Sequence, residues 1–297
     1  MSPGMNTGAD VVVFDLPMRL KFRGQTRRSG VLLRGAAGWA EFSPFPDYDA
    51  ATCARWLDAA REIAELGFPP PLRERVPVNT TVPAVDPTTA HALVRASGCA
   101  TAKVKVAESG QTLADDIARV EAVRDALGPT GKLRVDANAA WTVDEAVPAL
   151  KALDVFGLEY AEQPVRTLEE MAQLRRQVDV LLAADESVRR AEDPMRVVGL
   201  DAADIVVLKV QPIGGVRRCL EVAEACGLPV VVSSAVETSV GIAAGVALAA
   251  ALPELPYACG LGTVSLLDGD VTPNSLLPED GELPVRTVEP DLSMVHA

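Results

Sequence analysis

The stretch Thr101-Ala102-Lys103-Val104-Lys105-Val106 sets two lysines two positions apart among small and β-branched residues. That is strand composition, and alternate residues of a strand point to the same face. Both ammonium groups therefore project into one small volume. Such a pair alone also describes a solvent-facing edge strand. The rest of the chain distinguishes the two readings.

Downstream, short apolar runs each end in a polar or turn residue. Asp136 closes Lys132-Leu133-Arg134-Val135, and Glu162 closes Leu158-Glu159-Tyr160-Ala161. Asp185 follows Leu181-Leu182-Ala183-Ala184, Lys209 follows Ile205-Val206-Val207-Leu208, Ser233 follows Val230-Val231-Val232, and Gly260 follows Tyr257-Ala258-Cys259. These points recur roughly every 25 residues, the length of one strand-plus-helix unit. The repeat predicts an α/β fold, a (β/α)7β TIM-type barrel with its polar residues at the carboxyl ends of the strands, where such barrels carry their chemistry.

Before the repeat, Asp10–Leu20, Ser29–Arg34 and Gly38–Phe42 read as an antiparallel meander, with Lys21–Arg28 as a connection. Tyr48–Leu66 reads as a helix capped by Asp47 or Asp49 and stopped by Gly67. Pro69-Pro70-Pro71 marks a boundary. The expected organisation is a small N-terminal α+β capping domain over residues 1–75, a barrel over 76–265 beginning with a strand Val76–Val85, and a proline-punctuated C-terminal segment, 266–297, that packs back on the cap and completes it. Residues 1–10 read as a loose leader.

Net charge is −13, which disfavours nucleic acid and anionic membrane as partners. The apolar run Val240–Leu252 is too short to span a membrane, and no signal peptide is expected. Five cysteines without CxxC spacing suggest reduced thiols and a cytoplasmic setting rather than a disulfide frame or a zinc site. The two histidines, His91 and His296, are not at strand ends. That argues against a Ser-His-Asp triad, a histidine base and histidine-ligated zinc.

Asp136, Glu162 and Asp185 offer three hard oxygen ligands and suit Mg²⁺. They could instead pair with the lysines as structural salt bridges. Lysines on either side of a carboxylate substrate suit removal of its α-proton, provided the base lysine is neutral and the enolate charge is held. Clustered cations lower a lysine pKa in the direction this requires. Other signals stay open. Gly214-Gly215 could cradle phosphate or open a helix, Gly260 and Gly262 fall where barrels often bind phosphate, and Ser233 and Ser234 could be turn serines. Arg23, Arg27 and Arg28 either reach the substrate or face solvent.

Taken together, Lys103-x-Lys105, Asp136-Ala137-Asn138, Glu162-Gln163-Pro164, Asp185-Glu186-Ser187 and Lys209 resemble the enolase superfamily, muconate-lactonizing subgroup. Within it, Phe22-Arg23-Gly24, Gly38-Trp39-Ala40-Glu41-Phe42-Ser43-Pro44-Phe45, Ser233-Ser234-Ala235-Val236-Glu237-Thr238-Ser239 and Gly260-Leu261-Gly262-Thr263 are most similar to the o-succinylbenzoate synthases of actinobacterial type.

The resemblance implies a carbon–oxygen lyase of menaquinone synthesis that dehydrates 2-succinyl-6-hydroxy-2,4-cyclohexadiene-1-carboxylate by syn elimination through an enolate. It implies Mg²⁺ on Asp136, Glu162 and Asp185, with Mn²⁺ as a substitute. Lys105 would be the base, Lys209 a fixed cation, Lys103 a tuning residue and Asn138 a supporting one. Ser233, Ser234 and Gly260, Leu261, Gly262 and Thr263 would bind the succinyl end. The only partner implied is a small-molecule carboxylate, with no obligate protein partner. N-acylamino acid racemization or dipeptide epimerization would use the same lysines, and a Schiff-base aldolase would use Lys209 but leaves the three carboxylates without a role. A barrel that binds without turnover does not call for the complete set.

Overall fold

The structure, a computed structural model, describes residues 11–22, 24–189 and 195–295. Arg23, His296 and the leader lie outside the described residues. Strands β1 (Val11–Phe22), β2 (Gln25–Gly35) and β3 (Gly38–Phe42) form an antiparallel sheet. Val12, Phe14 and Leu16 face inward while Val11 and Val13 face out, the alternation of a half-buried strand. The first two strands run further than the sequence suggests, into the expected connection. Phe22 pairs with Gln25 beside Gly24, whose φ of +76° few other residues adopt at low cost. Helix α1 (Ala50–Leu66) packs on this sheet. Asp49 caps it by accepting from the Thr52 amide, and Trp56, Ala60 and Ile63 make its buried face.

The expected first barrel strand is instead two short ones, β4 (Arg75–Pro77) and β5 (Thr80–Val82). Pro77 has no N–H for a ladder and Pro83 ends the second piece, so the chain changes partners between them. Next come α2 (Pro87–Ser97), β6 (Thr101–Lys105), α3 (Leu113–Leu127), β7 (Lys132–Asp136), α4 (Val143–Leu153), β8 (Leu158–Glu162), α5 (Leu168–Arg175) and β9 (Leu182–Ala184). Short helices α6 (Glu186–Arg189) and α7 (Arg196–Gly199) precede β10 (Ile205–Leu208). Helices α8 (Val210–Ile213) and α9 (Val216–Cys226), β11 (Val230–Val232) and α10 (Ser239–Ala251) complete the repeat.

Three of the helices share one local grammar. Thr112, Thr142 and Thr167 each cap a helix whose third residue, Asp115, Glu145 or Glu170, bonds back to the cap, so exposed amides are satisfied in pairs. Strands β5 to β11 form one curled parallel sheet in sequence order, their faces lined by valine, leucine, isoleucine and alanine. Cys259 and Gly260 bridge the two edges. The Cys259 amide donates to Pro77 O, the Asn79 amide donates to Cys259 O, and the Gly260 amide donates to Val232 O. Two residues thus stand in the eighth position of the barrel.

The C-terminal segment supplies β12 (Glu282–Pro284), antiparallel to β4, and α11 (Leu292–Val295). It also touches β1: the Asp268 amide donates to Pro17 O and Arg19 donates to Leu267 O. Among the described residues, no helix is long and apolar enough to cross a membrane.

Candidate active site

Parallel pairing sets Lys105, Asp136 and Glu162 side by side at one level across β6, β7 and β8. Asp185 and Lys209 follow immediately after β9 and β10. The regular advance of a (β/α) repeat thus turns distant positions into neighbours at one rim. Lys103 Nζ lies 2.8 and 2.7 Å from the two oxygens of Glu162 and 3.6 Å from Asp136. Lys105 Nζ donates to Asp136 at 2.5 Å and to Asn138 Oδ1. Lys209 pairs with Asp185. Every carboxylate is at most 1% exposed, so each charge depends on its partner.

Local backbone supports this cluster. Asn138 sits at φ +46°, which turns its amide back toward the site. Its N–H donates to Asp136 Oδ1 at 2.9 Å and its Nδ2 to Glu186 at 3.2 Å. Gln163, at φ +38°, accepts from the amides of Asp185 and Ser187 and donates to Val165 O and the Ser187 hydroxyl. Its bonds to Asp185 and Ser187 hold the carboxylate and the turn behind it.

The electrostatics distinguish the two lysines of the pair. Burial disfavours the Lys103 charge, but Glu162 and Asp136 outweigh it and hold its pKa above the ordinary lysine range. Burial, reinforced by the Lys103 charge, moves Lys105 the other way, despite Asp136. Asp136 stays well below the carboxylate range: burial opposes its charge, and Lys105 and Lys103 overcome that. Burial pushes Glu162 up to about 7, with Asp136 and Asp185 adding to the rise and Lys103 opposing it.

Lys103, Lys105 and Lys209 line one cleft with Asp136 and Asn138. Ser233, Ser234, Gly260 and Thr263 line the same cleft. Glu162 and Asp185 stand behind Lys103 and Lys209. Leu261 and Gly262 are buried but are not in this lining; the Leu261 side chain packs against Gly245 of α10. Ser234 Oγ donates to Gly260 O at 2.8 Å and contacts the Thr263 hydroxyl, stitching the two loops together. A methyl group on Gly260 would meet Ser233 Oγ at 2.5 Å, so only glycine allows this approach.

Gly215 opens α9 against the Glu62 carboxylate, an arrangement that serves helix packing and not a phosphate. His91 lies on α2, 3.2 Å from Asp125. Arg27 pairs with Asp15 at an exposed position. Arg28 neither faces solvent nor lines the cleft, being 2% exposed between the cap and the barrel.

Sequence reasoning assigns no site role to Phe22, Phe45, Thr81, Ala235 or Val236, which also line the cleft. The Phe22 ring lies 5.1 Å from Lys105 Nζ. Gln163 and Glu186 belong to the strand-end motifs but carry no role there. Their position beside Glu162 and Asp185 was the available signal.

The donor set fits Mg²⁺: three anionic oxygen groups on successive strands, with no nitrogen or sulfur ligand among them. The mutual repulsion that helps push Glu162 upward is the repulsion a dication relieves. Among the described residues no three such side chains already converge on one metal-sized point; each is turned to an ammonium group.

Two family models match this chain: "Enolase N-terminal domain-like" over residues 13–64 and "Enolase C-terminal domain-like" over residues 87–293. The o-succinylbenzoate synthase of Thermobifida fusca is 65% identical over 276 residues, covering 93% of this chain and 87% of that one. Muconate lactonizing enzyme from Pseudomonas fluorescens, complexed with muconolactone, superposes with a TM-score of 0.82 at 22% identity, over 97% of this chain and 95% of that one. Dipeptide epimerase from Enterococcus faecalis, complexed with Mg and the dipeptide L-Leu-L-Tyr, superposes with a TM-score of 0.79 at 24% identity, over 97% and 99%. The latter two show a common fold.

Proposed function

The chain belongs to the o-succinylbenzoate synthase family of the enolase superfamily, and on that premise we propose that it dehydrates 2-succinyl-6-hydroxy-2,4-cyclohexadiene-1-carboxylate to o-succinylbenzoate in menaquinone biosynthesis. The observation that carries the residue roles is the single cleft that holds three lysines with Ser233, Ser234, Gly260 and Thr263.

Lys105 removes the proton α to the substrate carboxylate. Burial and the Lys103 charge favour its neutral form, and Asn138 and Asp136 aim its nitrogen. The same ammonium then returns a proton to the departing hydroxyl, as a syn elimination allows. Lys209, paired with Asp185 across the cleft from Lys105, is the cation that holds the enolate. Lys103, locked on Glu162, supplies charge and not a base. Asp136, Glu162 and Asp185 would hold Mg²⁺, or Mn²⁺ in its place, which supplies positive charge to offset the enolate dianion. Ser233, Ser234, Gly260 and Thr263 receive the succinyl end, and Leu261 and Gly262 carry the loop that joins the last two. The cap is assigned to residues 1–75, the barrel to 76–265 and the C-terminal segment to 266–297. Cysteine usage supports a cytoplasmic setting, and the substrate is the only partner the site calls for.

The test is steady-state kinetics on the cyclohexadiene carboxylate beside N-succinylamino acids in deuterated solvent. A synthase dehydrates the first rapidly and exchanges little α-proton in the second. Because Lys105 and Lys209 share the cleft, racemization is the second reading. A kcat/KM for racemization equal to or above that for dehydration would select it, and a borohydride-trapped adduct on Lys209 would select the aldolase.

A further inference from the structure

Val236 is a β-branched residue at φ +63°, a conformation in which Cβ crowds the backbone and which such residues rarely adopt. It is 2% exposed and lines the cleft beside Ser233, Ser234 and Ala235. Strain of this kind persists only where the surroundings over-determine it. Here the surroundings come from the other end of the chain. Arg28 Nε, on β2 of the cap, donates to the Val236 carbonyl at 3.0 Å.

The rest of the guanidinium is fixed in turn. Its Nη2 donates to the Ser43 carbonyl at 2.6 Å and to the Ser43 hydroxyl at 3.1 Å, and the group stacks 4.5 Å from the Phe45 ring. The Ser43 amide is held by Gln211 of α8. Just beyond Val236, Glu41 of β3 accepts from the amides of Thr238 and Gly241. Two cap strands thus grip the loop after β11 at its strained residue and just beyond it. Simple docking of the cap does not require a strained residue in the cleft wall. A guanidinium suits the task because it stays charged at all working pH values and presents its donors as a rigid fork.

The geometry points to Arg28 as a positioning residue for substrate: it holds Val236 in the left-handed conformation and so shapes the wall Ser233–Val236 that receives the succinyl end. This rests on the proposed function, in which that wall binds substrate.

Kinetics on the cyclohexadiene carboxylate test it with Arg28→Met, Arg28→Lys, Val236→Gly, each Arg28 variant combined with Val236→Gly, and Ser233→Ala/Ser234→Ala. Arg28→Met should raise KM roughly tenfold, the order expected when a strained residue is released, with a smaller change in kcat. Arg28→Lys, which keeps the charge and one donor and so protects folding, should raise KM less. Val236→Gly alone, which also removes a side chain from the cleft wall, is the reference against which the double variants are read. Because glycine adopts the conformation without a clamp, adding it to either Arg28 variant should recover part of the lost KM. A purely structural arginine predicts no such rescue, since glycine only loosens the loop further. Absence of rescue, or a KM within twofold of wild type in both Arg28 variants, overturns the proposal. If Ser233→Ala/Ser234→Ala raises KM while the Arg28 variants do not, the clamp alone fails. If that serine pair leaves KM unchanged, the wall does not bind substrate and the underlying reading fails with it.

Discussion

Lys103 reaches across β7 to grip both oxygens of Glu162 on β8, at 2.8 and 2.7 Å. The pair separates the roles of two lysines that leave the same strand on the same face. Lys103 is committed to carboxylates and remains charged, so its neighbour Lys105 is the one driven toward neutrality.

Replacing the lysines should therefore give different losses. Lys105→Ala should lower kcat by about a thousandfold or more, the usual worth of a positioned base. Lys209→Ala should fall comparably through lost charge. Lys209→Arg should retain measurable turnover that Lys105→Arg lacks, because a guanidinium supplies charge but never a free base. Equal loss in both arginine variants would contradict the assignment of Lys105 as the base and Lys209 as the fixed cation.

The three carboxylates should act through metal. Chelation should abolish turnover, and Mg²⁺ or Mn²⁺ should restore it. Asp136→Asn, Glu162→Gln and Asp185→Asn should each weaken Mg²⁺ binding roughly tenfold or more in titration calorimetry, apart from any effect on rate. Full activity after exhaustive chelation would rule out the metal role.

Stability should depend on pH through Glu41. Burial, with Glu237 adding repulsion, pushes this carboxyl up to about 7 in the folded chain against an ordinary 4.5. A raised folded pKa means that the folded state binds the proton more tightly. The contribution is complete below about 4.5 and is lost as pH rises through about 7. The unfolding free energy should accordingly fall between pH 5 and pH 8 by about a few kcal/mol, read as a lower melting midpoint. Glu237→Gln, which removes the repelling charge, should flatten that decline. A decline of unchanged slope in Glu237→Gln would show that Glu237 does not cause the shift.

Much of the site was legible in the chain because its residues obey local rules. A two-residue alternation put Lys103 and Lys105 on one face. A strand-plus-helix period then carried Asp136, Glu162, Asp185 and Lys209 to successive strand ends, where parallel pairing makes them neighbours. Helix limits followed equally local signals, such as Thr112 with Asp115 and Thr142 with Glu145.

The features that only the tertiary structure decided join residues far apart, with no periodic pattern linking them. The split of the first barrel strand depends on β12 arriving beside β4, and closure of the barrel depends on Cys259 and Gly260 reaching both sheet edges. Arg28 has the composition of an exposed strand, yet it is buried because the cap settles on the loop after β11, 208 positions away. The sequence determined which groups stand at the rim, since strand and helix periods are written in neighbouring side chains. Which ammonium meets which carboxylate, and what holds Val236, was decided by the packing of one unit on another, where the burial of charge leaves each group needing a particular partner.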